Sequence, residues 1–287
     1  NQINELVVGK TTGTEALILE NSSHTIVAFR GTETKAILSL LPDLLTDISF
    51  WMRRSDIGGV HSGFSKALEE VESPVVKILE KSSKPILVTG HSLGGALAKT
   101  LVIRNPSLKY ESCYTYGAPA VGDSKFSQNV KIPVVRIING ADVVPRLLAL
   151  TPDLVGGLLS FFKFVLSKIP EGNKFRASFD SLIDFLNKCY LNSVTYAHFG
   201  DAYLLTRSEG LRPYPTDETL LGYMLSLILE DGKNCVLDHF ADSYVDRLGS
   251  FPAVGIQGLM AVAPEPLPTL TLSAATEMIK ARAPYKD

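Results

Sequence analysis

The chain has 287 residues, of which 45% are hydrophobic and 20% are charged, and its formal net charge is −2. This length accommodates one large domain with a sizeable core, and the near-neutral charge gives no reason to expect nucleic acid binding. Three cysteines cannot provide a disulfide framework, so the hydrophobic core must stabilise the fold. No signal peptide is recognisable, and the sequence leaves the compartment and the oligomeric state open.

The N-terminal part of the chain predicts paired strands followed by a helix. Residues 16–19 and 25–29 are mostly apolar, and the polar turn 21–24 joins them. Residues 64–79 carry apolar side chains at helical spacing and predict an amphipathic helix.

Three further segments predict strands: 86–88 and 134–138, which should be buried, and 110–116. Strands that are apolar throughout and alternate with helices indicate an α/β fold with a mostly parallel central sheet, covered by helices on both faces.

The most informative motif is G-x-S-x-G at Gly90, Ser92 and Gly94, placed between the strand 86–88 and the helix-favouring residues 96–102. A strand, this tight turn and a helix together form the nucleophile elbow of serine hydrolases. Glycines are needed where strand and helix nearly touch, and Ser92 lies at the positive end of the helix dipole. The N–H of Leu93 then points at the developing oxyanion. The alternative is a tight β–α turn with an inert serine.

A serine nucleophile needs a base, and the base needs an acid that orients it. In the chain order Ser, Asp, His, Asp142 fits the acid because it follows the strand 134–138 and a short turn. The alternative for a single aspartate after a strand is a turn cap. Two histidines follow, His198 and His239, and order and spacing alone do not choose between them.

Two apolar stretches fall outside this alternation of strands and helices. Residues 147–169 are strongly apolar, but prolines, glycines and charges interrupt them. The uninterrupted runs are too short to cross a bilayer, so we expect an interfacial or cap helix, with ordinary core as the alternative. Residues 219–229 predict a buried helix, and the tail from Ala261 predicts an extended surface segment.

Several motifs, taken in order, resemble those of the class 3 triacylglycerol lipases, the group of the filamentous-fungal lipases. They are IVAFRGT at 26–32, LTDI at 45–48, VHSGF at 60–64, GHSLGG at 90–95, YGAPAVGD at 116–123 and NGADVVP at 139–145. The resemblance is close over residues 16–146 and looser beyond them. It implies a single α/β-hydrolase domain spanning residues 1–287, with a helical lid at about 33–46 and an apolar cap insert at about 147–190.

The resemblance also implies roles for individual residues. The family's base lies in a late Asp-His segment, which 237–239 resembles, so His239 is the expected base and His198 remains the alternative. Thr32, in the family's oxyanion segment, is expected to supply the second oxyanion donor beside Leu93. The apolar stripe in 33–46 predicts a lid that covers an acyl groove and turns toward lipid. The alternative is an ordinary surface helix packed on the core.

The expected function is therefore that of a lipase that hydrolyses triacylglycerol esters through Ser92, His239 and Asp142 and an acyl-enzyme. It would act transiently at a lipid–water interface or membrane surface, without metal or cofactor. A phospholipase A1, a galactolipase or a broad carboxylesterase could use the same scaffold. An inactive lipid-binding protein is the alternative of another class. The resemblance is compatible with secretion.

Overall fold

The computed structural model describes residues 2–31, 52–142, 144–147, 196–206, 210–214 and 237–250. The strands in these ranges are β1 (Gln2–Val8), β2 (Glu15–Glu20), β3 (Thr25–Phe29), β4 (Met52–Ser55), β5 (Gly58–His61), β6 (Ile86–His91), β7 (Tyr110–Tyr116), β8 (Val134–Asn139), β9 (Asp201–Thr206) and β10 (Gly210–Pro213). The helices are α1 (Ser62–Leu79), α2 (Leu93–Arg104), α3 (Ser124–Ser127), α4 (Val144–Leu147) and α5 (Ala241–Gly249).

Eight strands form one sheet in the order β1-β2-β3-β6-β7-β8-β9-β10. The strands from β3 to β9 in this order run parallel to one another, and antiparallel strands flank them on both sides. The predicted mostly parallel sheet is therefore confirmed. The predicted strands at 16–19 and 25–29 do pair, with Leu19 opposite Ile26.

The helices pack where their apolar positions predict. In α1, the buried apolar residues recur every three or four positions: Phe64, Ala67, Leu68, Val71, Val75 and Leu79. The helix α2 packs on β3, β6 and β7, and it is buried along nearly its whole length. Because α1 also contacts α2, this face of the sheet carries the larger core cluster. A smaller cluster joins β8, β9 and Tyr244 of α5.

This topology brings distant chain segments to one edge of the sheet. Ser92 follows β6, and Asp142 follows β8. The strands β6 and β8 flank β7 in parallel, so their carboxyl ends meet at the same edge. The helix α5 begins just after His239 and packs near this edge, which places the three predicted side chains within reach of one another.

Several predictions fall outside the described residues. These are Thr32, the lid at 33–46, the insert beyond Leu147, the helix at 219–229 and the tail from Ala261. Within the described ranges, no helix has both the length and the apolar character needed to cross a bilayer.

Candidate active site

The turn at Ser92 has the strained geometry predicted for the elbow. Ser92 has φ 54° and ψ −122°, and among the described residues it is the one non-glycine residue with a positive φ. A Cβ on Gly90 would lie 2.3 Å from the carbonyl carbon of Gly94, and a Cβ on Gly94 would lie 2.2 Å from the Phe29 oxygen. Both glycines are therefore required for strand and helix to approach this closely. The Ser92 N–H is anchored to the Tyr116 oxygen at 2.9 Å.

The structure brings together Ser92, His239 and Asp142. Nε2 of His239 lies 2.8 Å from Oγ of Ser92, and Nδ1 lies 2.9 Å from both carboxylate oxygens of Asp142. All three side chains are buried. Because a carboxylate only accepts, Nδ1 of His239 carries the hydrogen in this contact. In the neutral ring, Nε2 is then free to accept the hydroxyl proton of Ser92.

The carboxylate of Asp142 accepts further hydrogen bonds, which offset the free-energy cost of burying its charge. Oδ1 accepts from the N–H of Val144 at 3.0 Å, and Oδ2 accepts from the hydroxyl of Tyr244 at 2.6 Å. Hydrogen bonds to an ionised group are among the strongest in proteins. Asp142 thus caps the turn that follows it, and it also contacts Tyr244 of α5 and His239.

Tyr244 is a residue of the site that the sequence analysis missed. Its buried hydroxyl accepts from the N–H of Asn139 at 3.0 Å while it donates to Asp142. Burial, and next the negative charge of Asp142, raise the pKa of Tyr244 well above its ordinary value, so it stays a donor. A tyrosine five residues after a histidine carries no recognised signal, so only the fold could identify it.

His91, beside the serine in sequence, contacts the backbone of His239. Its Nε2 lies 2.7 Å from the His239 carbonyl oxygen, which requires that this nitrogen donate. The two imidazole rings lie 4.9 Å apart. Burial, followed by the charge of His239, lowers the pKa of His91 to about 4. His91 is therefore a neutral donor near pH 7, and it holds the loop of His239 against the elbow.

The structure brings His239, and not His198, to Ser92. Nε2 of His198 lies 2.5 Å from the carbonyl oxygen of Pro145 and donates to it. Burial, then the charges of Arg136 and Lys99, lower the pKa of His198 well below its ordinary value. His198 is thus a partly buried neutral residue that anchors the segment just after Asp142.

Two backbone segments beside Ser92 could supply oxyanion donors. Leu93 is the first residue of α2, and its N–H belongs to the positive end of the helix dipole. A Cβ on Gly31 would lie 2.5 Å from the His91 oxygen, so the backbone just before Thr32 runs against the elbow. In the described part of the chain, no three His, Cys, Asp or Glu side chains are grouped as a metal site requires.

Part of the chain is similar to a known protein family. Residues 26–151 match the model of the family described as lipase (class 3). A secreted mono- and diacylglycerol lipase of Fusarium solani is 32% identical over 166 residues, which cover 53% of this chain and 46% of that protein. Protein EDS1 of Arabidopsis thaliana is 35% identical over 115 residues, covering 33% and 18% of the two chains. The chain thus spans less than half the length of these relatives.

Among solved structures, lipase II from Rhizopus niveus is similar with a TM-score of 0.52 and 22% identity. The similarity covers 83% of this chain and 78% of the fungal one. Together with the mostly parallel sheet, it shows the α/β-hydrolase fold that the sequence analysis predicted.

Proposed function

We propose that this chain hydrolyses carboxylic esters of lipids with Ser92 as the nucleophile, because residues 26–151 match the model of the class 3 lipase family. His239 is the general base, and Asp142 is the acid that orients it. One observation carries the proposal: the His239 ring joins the Ser92 hydroxyl at 2.8 Å to the Asp142 carboxylate at 2.9 Å. A triad is recognised by such geometry rather than by sequence position.

The proposed reaction begins when Oγ of Ser92 attacks the ester carbonyl carbon and Nε2 of His239 takes the hydroxyl proton. The carbonyl oxygen becomes an oxyanion, which the N–H of Leu93 and the backbone N–H and hydroxyl of Thr32 stabilise. Collapse of the intermediate breaks the bond to the alcohol oxygen, which leaves with the proton from His239. Water, activated by the same ring, then hydrolyses the acyl-enzyme and restores Ser92.

The charges of the site support this sequence of steps. The imidazolium formed after attack lies beside the buried Asp142 carboxylate, which stabilises it without taking the proton. Ser92 also precedes the first turn of α2, so the helix dipole favours the oxyanion. Losing one oxyanion donor typically costs about 3 kcal/mol of transition-state stabilisation.

We propose acylglycerols as the substrate class, with triacylglycerol as the principal substrate. The Fusarium solani relative is named as a mono- and diacylglycerol lipase, which supports this class. The apolar stripe of residues 33–46 supports a lid that opens at a lipid–water interface. Lipid esters and a transient lipid surface are thus the proposed partners.

The test compares the wild-type chain with Ser92→Ala on p-nitrophenyl butyrate and on emulsified tributyrin and triolein. Phosphatidylcholine vesicles and a galactolipid are assayed beside them. We expect hydrolysis of the acylglycerols by the wild type and none by Ser92→Ala. Equal rates for the two chains would overturn the nucleophile assignment.

The same panel separates the alternative functions. Faster release of fatty acid from phospholipid or galactolipid would indicate a phospholipase A1 or a galactolipase. Activity on the soluble ester alone would indicate a carboxylesterase, and lipid binding without hydrolysis would indicate a binding protein. A jump in rate as tributyrin passes its solubility limit is the result expected of a lid that responds to an interface.

A further inference from the structure

We propose that Asn139, Asp238 and Arg247 are positioning residues that clamp the loop of Asp142 to the loop of His239. We call these three side chains the clasp. The inference rests on the proposed function, because the clasp acts through the acid and the base and touches neither Ser92 nor substrate. It assigns a positioning role to Asn139 and Asp238, which precede the acid and the base in sequence, and to Arg247 of α5.

The core of the clasp is a reciprocal pair of side chain to backbone hydrogen bonds. Nδ2 of Asn139 donates to the carbonyl oxygen of Asp238 at 2.9 Å. In return, Oδ2 of Asp238 accepts from the N–H of Ala141 at 2.8 Å. Each loop therefore holds the backbone of the other, across 99 and 97 residues of sequence, respectively.

Arg247 of α5 joins the two side chains of this pair. Its Nη2 lies 3.0 Å from Oδ1 of Asp238, and its Nη1 donates to Oδ1 of Asn139. The planar guanidinium suits this task, because its two outer nitrogens reach two acceptors in a fixed geometry. Asn139 and Asp238 are almost fully buried, so their polar groups need hydrogen-bond partners within the protein, and the clasp supplies several of them.

Gly140 shows how closely the two loops are fitted. It has φ +39°, and a Cβ there would lie 2.3 Å from Oδ2 of Asp238 and 3.0 Å from Nη1 of Arg247. A side chain at this position would therefore displace the carboxylate that holds the Ala141 N–H. The absence of a side chain at Gly140 leaves room for the Asp238 carboxylate and the Arg247 guanidinium.

The clasp holds the backbone immediately beside the proposed acid and the proposed base. Ala141 precedes Asp142, and Asp238 precedes His239. Opening either bond lets the two loops separate and lengthens the contact between Nδ1 of His239 and Asp142, now 2.9 Å. Misplacement of a reacting group by about 1 Å can cost on the order of a hundredfold in rate. The effect falls on kcat, because no clasp residue binds substrate.

The test uses Arg247→Met, Arg247→Lys and Asp238→Asn in the full chain, with Arg104→Met as the matched control. Arg104 is also a partly buried arginine in the last turn of a helix, paired with Glu72 at 2.8 Å, but it lies on α2 away from the site. Hydrolysis of p-nitrophenyl butyrate gives kcat and KM. Titration with diethyl p-nitrophenyl phosphate counts the reactive Ser92 sites.

For Arg247→Met we expect kcat per titrated site to fall by roughly 10- to 100-fold, with KM within about twofold of the wild type. The midpoint of the acidic limb of kcat/KM should move to lower pH, because a looser contact with Asp142 stabilises the imidazolium less. Arg247→Lys should recover part of kcat, and Asp238→Asn should behave like Arg247→Met. Arg104→Met should leave kcat and the acidic limb unchanged.

One further outcome would overturn the clasp proposal alone, and another would overturn the proposed function as well. A lower Tm with unchanged kcat and an unchanged acidic limb in Arg247→Met would make the clasp structural only. Should Arg247→Met not fold, Arg247→Lys and Asp238→Asn decide by the same criteria. A wild-type chain that the phosphate ester does not label at Ser92 would instead overturn the proposed function, and the clasp proposal with it.

Discussion

The hydroxyl of Tyr244 donates a 2.6 Å hydrogen bond to Oδ2 of Asp142, and the same oxygen lies 2.9 Å from Nδ1 of His239. The tyrosine oxygen also accepts from the N–H of Asn139, the last residue of β8. Tyr244 therefore connects the proposed acid to the end of the strand that precedes it. Because the pKa of Tyr244 is raised above its ordinary value, the phenol remains a hydrogen-bond donor at neutral pH.

Tyr244→Phe should lower both stability and activity. It removes a donor to a buried carboxylate and leaves the Asn139 N–H without its acceptor, a loss of about 1–3 kcal/mol in the free energy of unfolding. We expect kcat to fall by about 3- to 30-fold, since 1.4 kcal/mol corresponds to a tenfold change. Urea unfolding and ester hydrolysis measure the two effects.

Tyr110→Phe is the matched control for this substitution. Among the described residues, the buried hydroxyl of Tyr110 has no hydrogen-bond partner. Its removal should therefore leave activity unchanged and stability equal or slightly higher. Equal losses in the two variants would argue against the contact between Tyr244 and Asp142.

The two late histidines should respond differently to substitution. His239→Ala should lower kcat by at least about 10³-fold, because the ring is the base of the proposed triad. His198→Gln should stay within a few fold of wild-type kcat and lose about 1–3 kcal/mol of stability, since it removes the bond to the Pro145 oxygen. Steady-state hydrolysis with a thermal melt of each variant checks this. An inactive, well-folded His198→Gln would contradict the assignment of the base.

Gly94→Ala should destabilise the elbow. The added Cβ would lie 2.2 Å from the backbone oxygen of Phe29, where neither element can yield without moving β3 or α2. Overpacking of this kind typically costs 1–3 kcal/mol, occasionally more. Gly249→Ala in α5 is the control, because a Cβ there meets no atom within 4 Å and alanine favours a helix. Urea unfolding should show a loss for the first variant and none for the second.

Lys99 should make the free energy of unfolding depend on pH. It is 0% exposed, its Nζ donates to the Pro119 oxygen, and burial, then the charge of Arg136, lowers its pKa to about 7. Between pH 7 and its ordinary value of 10.5, the unfolded chain binds a proton at Lys99 that the folded chain does not. Stability therefore rises with pH in this window, by about 1 kcal/mol per pH unit from this group.

The substitution Lys99→Met removes this titration and keeps much of the volume. The free energy of unfolding of the wild type, minus that of Lys99→Met, should increase between pH 7 and 10 and stay flat between pH 5 and 6. Urea titrations of the two chains at each pH measure the difference. A difference that does not change with pH would mean that Lys99 titrates at its ordinary value in the folded state.

The elbow and the sheet could be predicted from sequence because their signals are local. The glycines around Ser92 and the apolar strand before it lie within ten residues of one another, and the steric need for them is a property of the turn itself. Asp142 could be predicted for the same reason, since its place after β8 fixes the edge of the sheet on which it lies.

The proposed base and the residues that support it could not be derived from local sequence signals. Chain order and spacing do not distinguish His198 from His239 as the base. Only the family resemblance favours His239. Tyr244 and Arg247 act through contacts with β8 and the loop after it, about a hundred residues earlier in the chain, which leave no periodic pattern. Lys99 shows the opposite difficulty, because a lysine in a helix ordinarily indicates a solvent-facing position and here it is wholly buried.

The positions of Ser92 and His239 along the chain have a consequence for how the protein is made. The two side chains that meet at 2.8 Å are 147 residues apart in sequence. During synthesis the elbow leaves the ribosome long before the segment that carries the ring, and domains close such long-range contacts late. The turn that carries the proposed nucleophile is thus synthesised first, and Ser92 gains its contact with His239 only later. Ester hydrolysis would then report that the segment carrying His239 has docked beside Ser92.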